Sequence, residues 1–172
     1  MQPADLPPDR RFRLCMSRYA TGVSVLACGD AAAPAAMTAN SLTSVSLEPP
    51  LILFCVRNEG RFLGEVQRHP SFSVNVLNAD QITVSQRYAG RGDAMPAPDW
   101  QQLHGAPVLE GAQANLVCRL HAQHRAGDHT IVIGEVLHTL QATHDDAALV
   151  FFGGSYHRLH SQPTPEHSTP CA

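Results

Sequence analysis

Residues 35–56 read AAMTANSLTSVSLEPPLILFCV, and this stretch decides the fold class. Residues 35–46 are mostly small or β-branched, two prolines close that segment, and the apolar run at residues 51–56 follows. A β-forming segment, a proline break and a short apolar run predict strands joined by a short connection. The uninterrupted apolar character of residues 51–56 predicts a strand buried on both faces.

Most of the remaining chain also predicts strands. They are expected at residues 23–28, 71–77, 116–123, 130–140 and 148–152, with helices at residues 9–20, 61–68 and 79–88. Residues 89–105 predict a long irregular loop, and loops of that length in compact domains are often functional. Because short connections join the strands, the chain predicts an antiparallel barrel and not an alternating βαβ fold.

Length and charge narrow the class of protein. A chain of 172 residues fits one domain, which we place at residues 9–160, with disordered proline-rich tails at 1–8 and 161–172. The net charge of −3 and only 12 Lys and Arg residues give no electrostatic footprint for nucleic acid or a membrane surface. No apolar run approaches the roughly 20 residues of a membrane span. The N-terminus also lacks the apolar segment of a secretory signal, so we expect a cytoplasmic protein.

The sequence lacks the residue patterns of several classes of binding and catalytic site. The five cysteines form no C-x-x-C pair and predict reduced thiols. The histidines at 121, 124 and 129 lack the spacing of a metal site, so no metal is expected. The dinucleotide-binding G-x-G-x-x-G, the phosphate-binding G-x-x-x-x-G-K and the hydrolase G-x-S-x-G motifs are all absent from the sequence.

Three segments carry candidate chemistry. Residues 37–46 hold six short hydroxyl or amide side chains, which can donate to a phosphate or a heteroaromatic edge, or simply bond within a strand and turn. His129 follows the Gly127-Asp128 turn, where it can contact a ligand or cap the turn. Residues 151–158, FFGGSYHR, suit one wall of a planar-cofactor pocket, or a strand end and its turn.

The order of five blocks is more specific than any one of them. The blocks are YATGV at 19–23, MTANS through EPPL at 37–51, FSVNVL at 72–77, GDHTI with GEV at 127–136, and FFGGSYHR at 151–158. In this order they resemble the short-chain flavin reductase family, the reductase components of two-component flavin-dependent monooxygenases. The resemblance extends from about residue 12 to residue 159.

The resemblance implies a fold and an activity. The fold is a mainly β, six-stranded antiparallel Greek-key split barrel that binds FMN, usually a homodimer with flavin sites near the subunit interface. The activity is NAD(P)H:flavin oxidoreductase, passing a hydride from C4 of a reduced nicotinamide to N5 of FMN or FAD. The reduced flavin would then serve a partner monooxygenase.

The resemblance also implies site residues. His129 would meet the nicotinamide, and Arg57 or Arg61, with Arg87 as a further candidate, would supply positive charge near a phosphate. The cofactor-binding residues that it implies are Thr38, Ala39, Asn40, Ser41, Ser44, Val45, Ser46, Cys55, Val56, Arg57, Asn58, Arg61, Arg87, Tyr156 and Arg158.

One departure and two alternatives stand beside this hypothesis. Ala36 occupies a position where the family often has glycine, and a positive φ there would strain alanine. One alternative is a pyridoxamine-phosphate-oxidase-like FMN enzyme, against which the Gly-Asp-His turn argues. The other is a non-catalytic flavin or haem carrier, slightly favoured by the ten histidines.

Overall fold

The computed structural model describes residues 6–92, 95–143 and 147–159. Its helices are α1 (Pro8–Met16), α2 (Arg61–Arg68) and α3 (Ile82–Gln86), and α3 continues into a π-helical turn, Arg87–Arg91. None of the helices in these ranges has the length and apolar character needed to cross a membrane. Of the tails expected to be disordered, residues 1–5 and 161–172 lie outside the described residues, and α1 already begins at residue 8.

Strands make up most of the described chain. They are β1 (Thr21–Gly22), β2 (Ser24–Cys28), β3 (Ala35–Ala39), β4 (Thr43–Leu47), β5 (Pro50–Arg57), β6 (Phe72–Val76), β7 (Trp100–Leu103), β8 (Ala106–Leu109), β9 (Ala114–Ala126), β10 (His129–Gln141), β11 (Ala148–Phe152) and β12 (Ser155–Leu159).

The main sheet has the strand order β3-β2-β6-β9-β10-β5-β4, with antiparallel pairing throughout. Two smaller sheets, β7-β8 and β1-β11-β12, accompany it. The predicted mainly β, antiparallel architecture is therefore confirmed. Within the described ranges the main sheet counts seven strands where six were predicted, because the segment at residues 35–46 forms two strands instead of one.

The long β9-β10 hairpin organises the sheet. Strand β5 pairs with the half of β10 next to the hairpin turn, and β6 pairs with the half of β9 away from it. The sheet therefore extends in opposite directions from the hairpin and ends in the edge strands β3 and β4. Helix α2 packs against both β3 and β5 and closes the space between them.

The principal core fills the inside of this curved sheet. Phe54 and Phe72 are fully buried and meet edge to face with ring centroids 5.5 Å apart. Phe62 and Val66 reach the same cluster from α2. Burying side chains of this size contributes about 1.5–3 kcal/mol each, so α2 is held by its apolar face and not by capping.

The prediction that residues 51–56 are buried on both faces is wrong. In β5 the side chains of Ile52, Phe54 and Val56 are buried, whereas Leu51 and Cys55 are only half-buried. An antiparallel sheet needs only one face on the core. The other face of β5 is thereby free to line a cleft.

The prediction of an irregular loop over residues 89–105 is also partly wrong, because β7 pairs with β8 as a hairpin. Its two turn residues, His104 and Gly105, both have positive φ, at 51° and 82°. Positive φ at both central residues is the backbone of the tight hairpin turn whose twist matches its strands. Asn-Gly and Asp-Gly are the usual signals for that turn, and His-Gly did not indicate it.

Ala36 carries no backbone strain. It lies in β3 opposite Ala27 of β2. Of the non-glycine residues that the structure describes, His104 is the one with positive φ. The family's glycine is therefore not required by φ at this position.

A fully buried asparagine ties four strands together. Asn75 of β6 donates from Nδ2 to the carbonyl of Val25, at 2.9 Å, and its Oδ1 accepts from the Leu109 amide and from Asn115 Nδ2, at 2.9 and 2.8 Å. Buried polar groups persist where they are hydrogen-bonded. This network fixes β8 and β9 against β2 and β6.

Candidate functional site

The largest described cleft lies between the end of β3, the end of β5, the beginning of α2 and the beginning of β10. Its volume is about 710 Å³, within the usual range of a small-molecule site. Its walls are formed by Ala36, Met37, Thr38, Ala39, Asn40, Ser41, Cys55, Val56, Arg57, Gly60, Arg61, Phe62, Tyr88, Ala89, Gly90 and His129.

The cleft brings together most of the residues that the sequence singled out. Those that line it are Thr38, Ala39, Asn40, Ser41, Cys55, Val56, Arg57, Arg61 and His129. Strand pairing explains the meeting of distant segments, since Arg57 at the end of β5 is the direct antiparallel partner of His129 at the start of β10. Opposed residues of an antiparallel pair project on the same face of the sheet.

The end of β3 and the segment after it form another part of the cleft wall. Residues 40–42 connect β3 to β4 and belong to neither strand. Their backbone N–H and C=O groups are therefore not used in strand pairing. The Ser41 hydroxyl oxygen accepts from the Cys55 amide at 3.0 Å and joins this wall to β5. Because a hydroxyl can donate as well as accept, Ser41 keeps a proton to offer to a ligand.

Thr38 connects the cleft to the helix behind it. Its hydroxyl donates to the Ser85 carbonyl of α3 at 2.6 Å, so this hydroxyl has a structural bond and α3 is positioned against β3. The Ser85 hydroxyl in turn lies 2.8 Å from the Tyr156 hydroxyl. Tyr156 therefore meets the cleft through Ser85 and Thr38 and does not line it.

Three other predicted residues lie on the edge strand β4. Ser44 and Ser46 flank a β-bulge whose extra residue is Val45, and the Ser46 hydroxyl oxygen accepts from the Glu48 amide at 3.2 Å. Strand β4 neighbours β5 in the sheet, but these side chains do not line the cleft.

Two predicted arginines face other surroundings. Arg87 donates to the Met95 carbonyl and lines an adjacent cavity of about 580 Å³ together with Trp100. Tyr88 borders both that cavity and the cleft. Arg158 forms an ion pair with Asp80 at the exposed face of β12.

Asn58 follows β5 directly but turns towards the β9-β10 hairpin. Its Nδ2 donates to the Gly127 carbonyl at 2.9 Å, and its Oδ1 accepts from the Thr130 hydroxyl at 2.8 Å. Its own backbone amide donates to the Asp128 carbonyl at 3.0 Å. All of these groups therefore hold the turn that carries His129.

His129 is the one histidine among the residues that line the cleft, and its side chain is 37% exposed. Its Nδ1 lies 2.8 Å from the Asp128 carboxylate. That hydrogen bond, then the electrostatic interaction with His129 and, as a smaller cause, the charge of Arg57 lower the pKa of the Asp128 carboxyl. The carboxylate is thus ionised at neutral pH and available to orient the ring.

The charge of the cleft favours an anion. Arg57 and Arg61 lie on its wall, and α2 begins there with Gly60 as its N-cap. The partial positive charge of a helix N-terminus adds to that of the guanidinium groups. A phosphate at this end, a planar ring along the polar wall at residues 38–41 and the aromatic Tyr88 nearby fit the shape and chemistry of a flavin nucleotide.

Several lining residues were not predicted from the sequence. Tyr88, Ala89 and Gly90 belong to the turn at Arg87–Arg91 that follows α3, and Gly90 interrupts its helical geometry with a φ of 95°. The signal in the sequence was that the predicted long loop begins at residue 89, since loops of that length are often functional. Gly60 and Phe62 reach the cleft because α2 begins beside it.

The chain matches the model of the flavin reductase-like domain over residues 16–160. It is similar to the NADH-dependent FMN reductase SmoA of Agrobacterium fabrum, with 40% identity over 162 residues covering 90% of this chain and 88% of that protein. It is also similar to HsaB of Rhodococcus jostii, the reductase subunit of a flavin-dependent monooxygenase, with 33% identity covering 89% of this chain and 79% of that protein.

Solved structures share the fold. The NADH:FAD oxidoreductase SgcE6 of Streptomyces globisporus, in complex with NAD and FAD fragments, superimposes with a TM-score of 0.83 at 34% identity. The match covers 95% of this chain and 98% of that one. Taken together with the domain match over residues 16–160, this likeness shows that the chain belongs to the flavin reductase-like family.

Proposed function

We propose that this protein is an NADH-dependent flavin reductase that delivers reduced FMN or FAD to a partner monooxygenase. The observation that carries the proposal is the cleft in which Arg57 and His129, direct strand partners, face the polar wall at residues 38–41. The activities of SmoA, SgcE6 and HsaB support it. NADPH is tested as a second hydride donor, because the resemblance implied either NADH or NADPH.

The chemistry requires little of the protein beyond placement. A bound flavin would supply the electron acceptor, taking a hydride at N5 from C4 of the nicotinamide. The chain's residues bind and orient two planar rings and exclude water between them, because alignment at reacting distance lowers the barrier. A site of this kind needs no nucleophile or paired general acid and base.

Each wall of the cleft has a proposed task. The backbone and side chains of Thr38, Ala39, Asn40 and Ser41 hold the flavin ring, and Cys55 and Val56 complete its seat. Arg57 and Arg61 hold the phosphate, and His129 binds the nicotinamide. Ser44, Val45, Ser46, Asn58, Arg87, Tyr156 and Arg158 stay predictions of the sequence resemblance, since the cleft as described does not include them.

A homodimer and a cytoplasmic location are further parts of the proposal. Helix α1 has no buried residue, and its Phe12 side chain is 67% exposed. An isolated helix of nine residues is marginal in water, so a covering partner would stabilise it. Leu47 on the edge strand β4 is 92% exposed. A cavity is lined by Tyr19, which follows α1, and by Thr43, the first residue of β4. We assign α1 and β4 to contact with a second copy.

The activity is tested by NADH oxidation in air with FMN, with FAD and without added flavin, and by the same series with NADPH. Turnover that depends on added flavin supports a reductase and identifies the preferred flavin. A folded protein that oxidises neither nucleotide with either flavin would contradict the proposal. It would favour the oxidase-like enzyme or the carrier.

A further inference from the structure

Asn58 and Asp128 both contact the β9-β10 turn or the first residue after it, His129, which lines the cleft. Asn58 binds the turn at Gly127, Asp128 and Thr130, which leaves His129 as the residue between two anchored neighbours. Asp128 itself is exposed and does not line the cleft, while its carboxylate contacts His129 Nδ1 at 2.8 Å. The two residues therefore act on the cleft through His129.

The hairpin does not require this anchoring in order to close. Residues 127 and 128 form a two-residue turn between the paired Ala126 and His129, and Gly127 takes a φ of 62° there. A glycine at the first central position suits a tight hairpin turn without outside support. Strands β9 and β10 are then paired over nearly their whole length. The three hydrogen bonds of Asn58, two that it donates and one that it accepts from the Thr130 hydroxyl, are thus additional to what the register needs. They fix the position of His129.

The hydrogen bond between the Asp128 carboxylate and Nδ1 of His129 also decides which ring nitrogen is left for a ligand. A carboxylate accepts a hydrogen bond, so it favours the proton of a neutral imidazole on Nδ1. Among the described residues no group bonds to Nε2 of His129. Because Nδ1 is engaged by Asp128, Nε2 is the ring nitrogen left for a ligand in the cleft that His129 lines. In the neutral ring it is a hydrogen-bond acceptor, suited to an N–H donor such as the primary carboxamide of a nicotinamide.

We propose that Asn58 and Asp128 are positioning residues for the reduced nicotinamide, with Asn58 fixing the turn and Asp128 fixing the tautomer that makes Nε2 of His129 an acceptor. The inference rests on the proposed function and specifies how the same site selects its hydride donor. It gives Asn58 a task towards the nicotinamide in place of the flavin contact that the resemblance implied.

The tautomer is measured directly by nitrogen-15 NMR of the histidine rings in the protein without ligands, with the His129 signals assigned by their loss in His129→Gln. The wild type is expected to carry the proton on Nδ1, and Asp128→Ala is expected to move the population towards Nε2. Unchanged ring signals in Asp128→Ala would overturn the role of Asp128, whether or not the protein reduces flavin.

The donor preference is measured with NADH and its reduced acetylpyridine analogue, which keeps the carbonyl and replaces the amide NH2 by a methyl group. One lost hydrogen bond corresponds to about tenfold, so the wild type should favour NADH in kcat/KM by about that factor. Asn58→Ala and Asp128→Ala should raise KM for NADH and reduce this preference about tenfold relative to the wild type, with kcat and the flavin Kd kept. Glu59→Ala removes an exposed carboxylate next to Asn58, in the segment between β5 and α2. It is the matched control and should behave as wild type.

The failures of the two proposals are distinguishable. A wild type that reduces flavin with equal preference for both donors overturns the acceptor role of Nε2 and leaves the reductase in place. Weakened flavin binding in Asn58→Ala with an unchanged KM for NADH overturns the positioning role and restores Asn58 as a flavin contact. A folded wild type without NADH turnover overturns the reductase and this inference with it.

Discussion

Arg57 and His129 are direct partners across the antiparallel strands β5 and β10. Residues far apart in the chain thus place a guanidinium and an imidazole on the same face of the sheet, at one end of the cleft. The pairing is fixed by the register of β5 on β10, in which buried Phe54 lies opposite buried Val132. A shift by one residue would expose these side chains, so the core holds the two site residues in place.

Replacing His129 tests the nicotinamide assignment. We expect His129→Ala to raise KM for NADH by about tenfold, as the loss of one hydrogen bond implies, with little change in flavin affinity. Steady-state kinetics with varied NADH and a fluorescence titration of FMN measure the two quantities. Loss of FMN binding at an unchanged KM would refute the assignment.

Arg61 and Arg68 begin and end the same helix but face different surroundings. Arg61 lines the cleft, whereas Arg68 pairs with Glu65 at 2.8 Å. Hydrogen bonds to charged groups contribute about 1.5–3 kcal/mol, so Arg61→Ala should weaken FMN binding by at least about tenfold and leave riboflavin, which lacks the phosphate, unaffected. Arg68→Ala is the control. Equal losses for FMN and riboflavin would place the phosphate elsewhere.

Thiol labelling maps the cleft without reference to activity. Burial raises the pKa of the Cys28 and Cys118 thiols to about 12, so both should resist iodoacetamide in the native protein at neutral pH, because the thiolate is the nucleophile. Cys55 lines the cleft and should be protected by saturating FMN, while the exposed Cys15 should label at the same rate with or without it. Peptide mass spectrometry measures all four sites. Labelling of Cys55 that FMN does not slow would move the flavin out of this cleft.

Gly134 is required by a close approach inside the core. A Cβ at this position would lie 2.6 Å from the ring of Phe72, which is buried against Phe54. Overpacking of this kind costs about 1–3 kcal/mol, so Gly134→Ala should lower Tm by several degrees in a chain of this size. Gly22→Ala, where a Cβ meets nothing within 4 Å, is the control. Equal melting temperatures for both variants would show that the core yields at Phe72.

The proposed dimer makes a separate prediction. Leu47→Arg places a charge on the exposed edge strand β4 and should convert the protein to a monomer, measured by light scattering during size-exclusion chromatography. Leu137→Arg, on a half-exposed position of β10, is the comparison and should leave the assembly unchanged. A wild type that is already monomeric would contradict the proposed dimer.

Local sequence patterns predicted those elements whose signal is local. Helix α2 has the predicted bounds, residues 61–68, and β11 has the predicted bounds 148–152. The burial of β5 was predicted wrongly because all six residues at 51–56 are apolar. Their sequence therefore does not show that buried and half-buried side chains alternate along the strand. The β7-β8 hairpin was missed because its turn uses histidine at a positive φ.

The sequence predicted the part of the site that lies at the ends of strands. The segment at residues 38–41, the end of β5 and His129 were identified by their order along the chain, and strand pairing brings them together. The placement of Tyr156 behind Ser85 and the pairing of Arg158 with Asp80 depend on contacts 71 and 78 residues apart. No local pattern reports contacts of that kind.

The proposed function requires that this protein accelerates hydride transfer from NADH to flavin. The most direct measurement mixes NADH and FMN without oxygen, with and without the protein, and follows the absorbance of NADH and of oxidised flavin together. We expect both to fall in step, with one flavin reduced for each NADH oxidised, at a rate proportional to the protein concentration. A rate that is the same without the protein would contradict the proposed function.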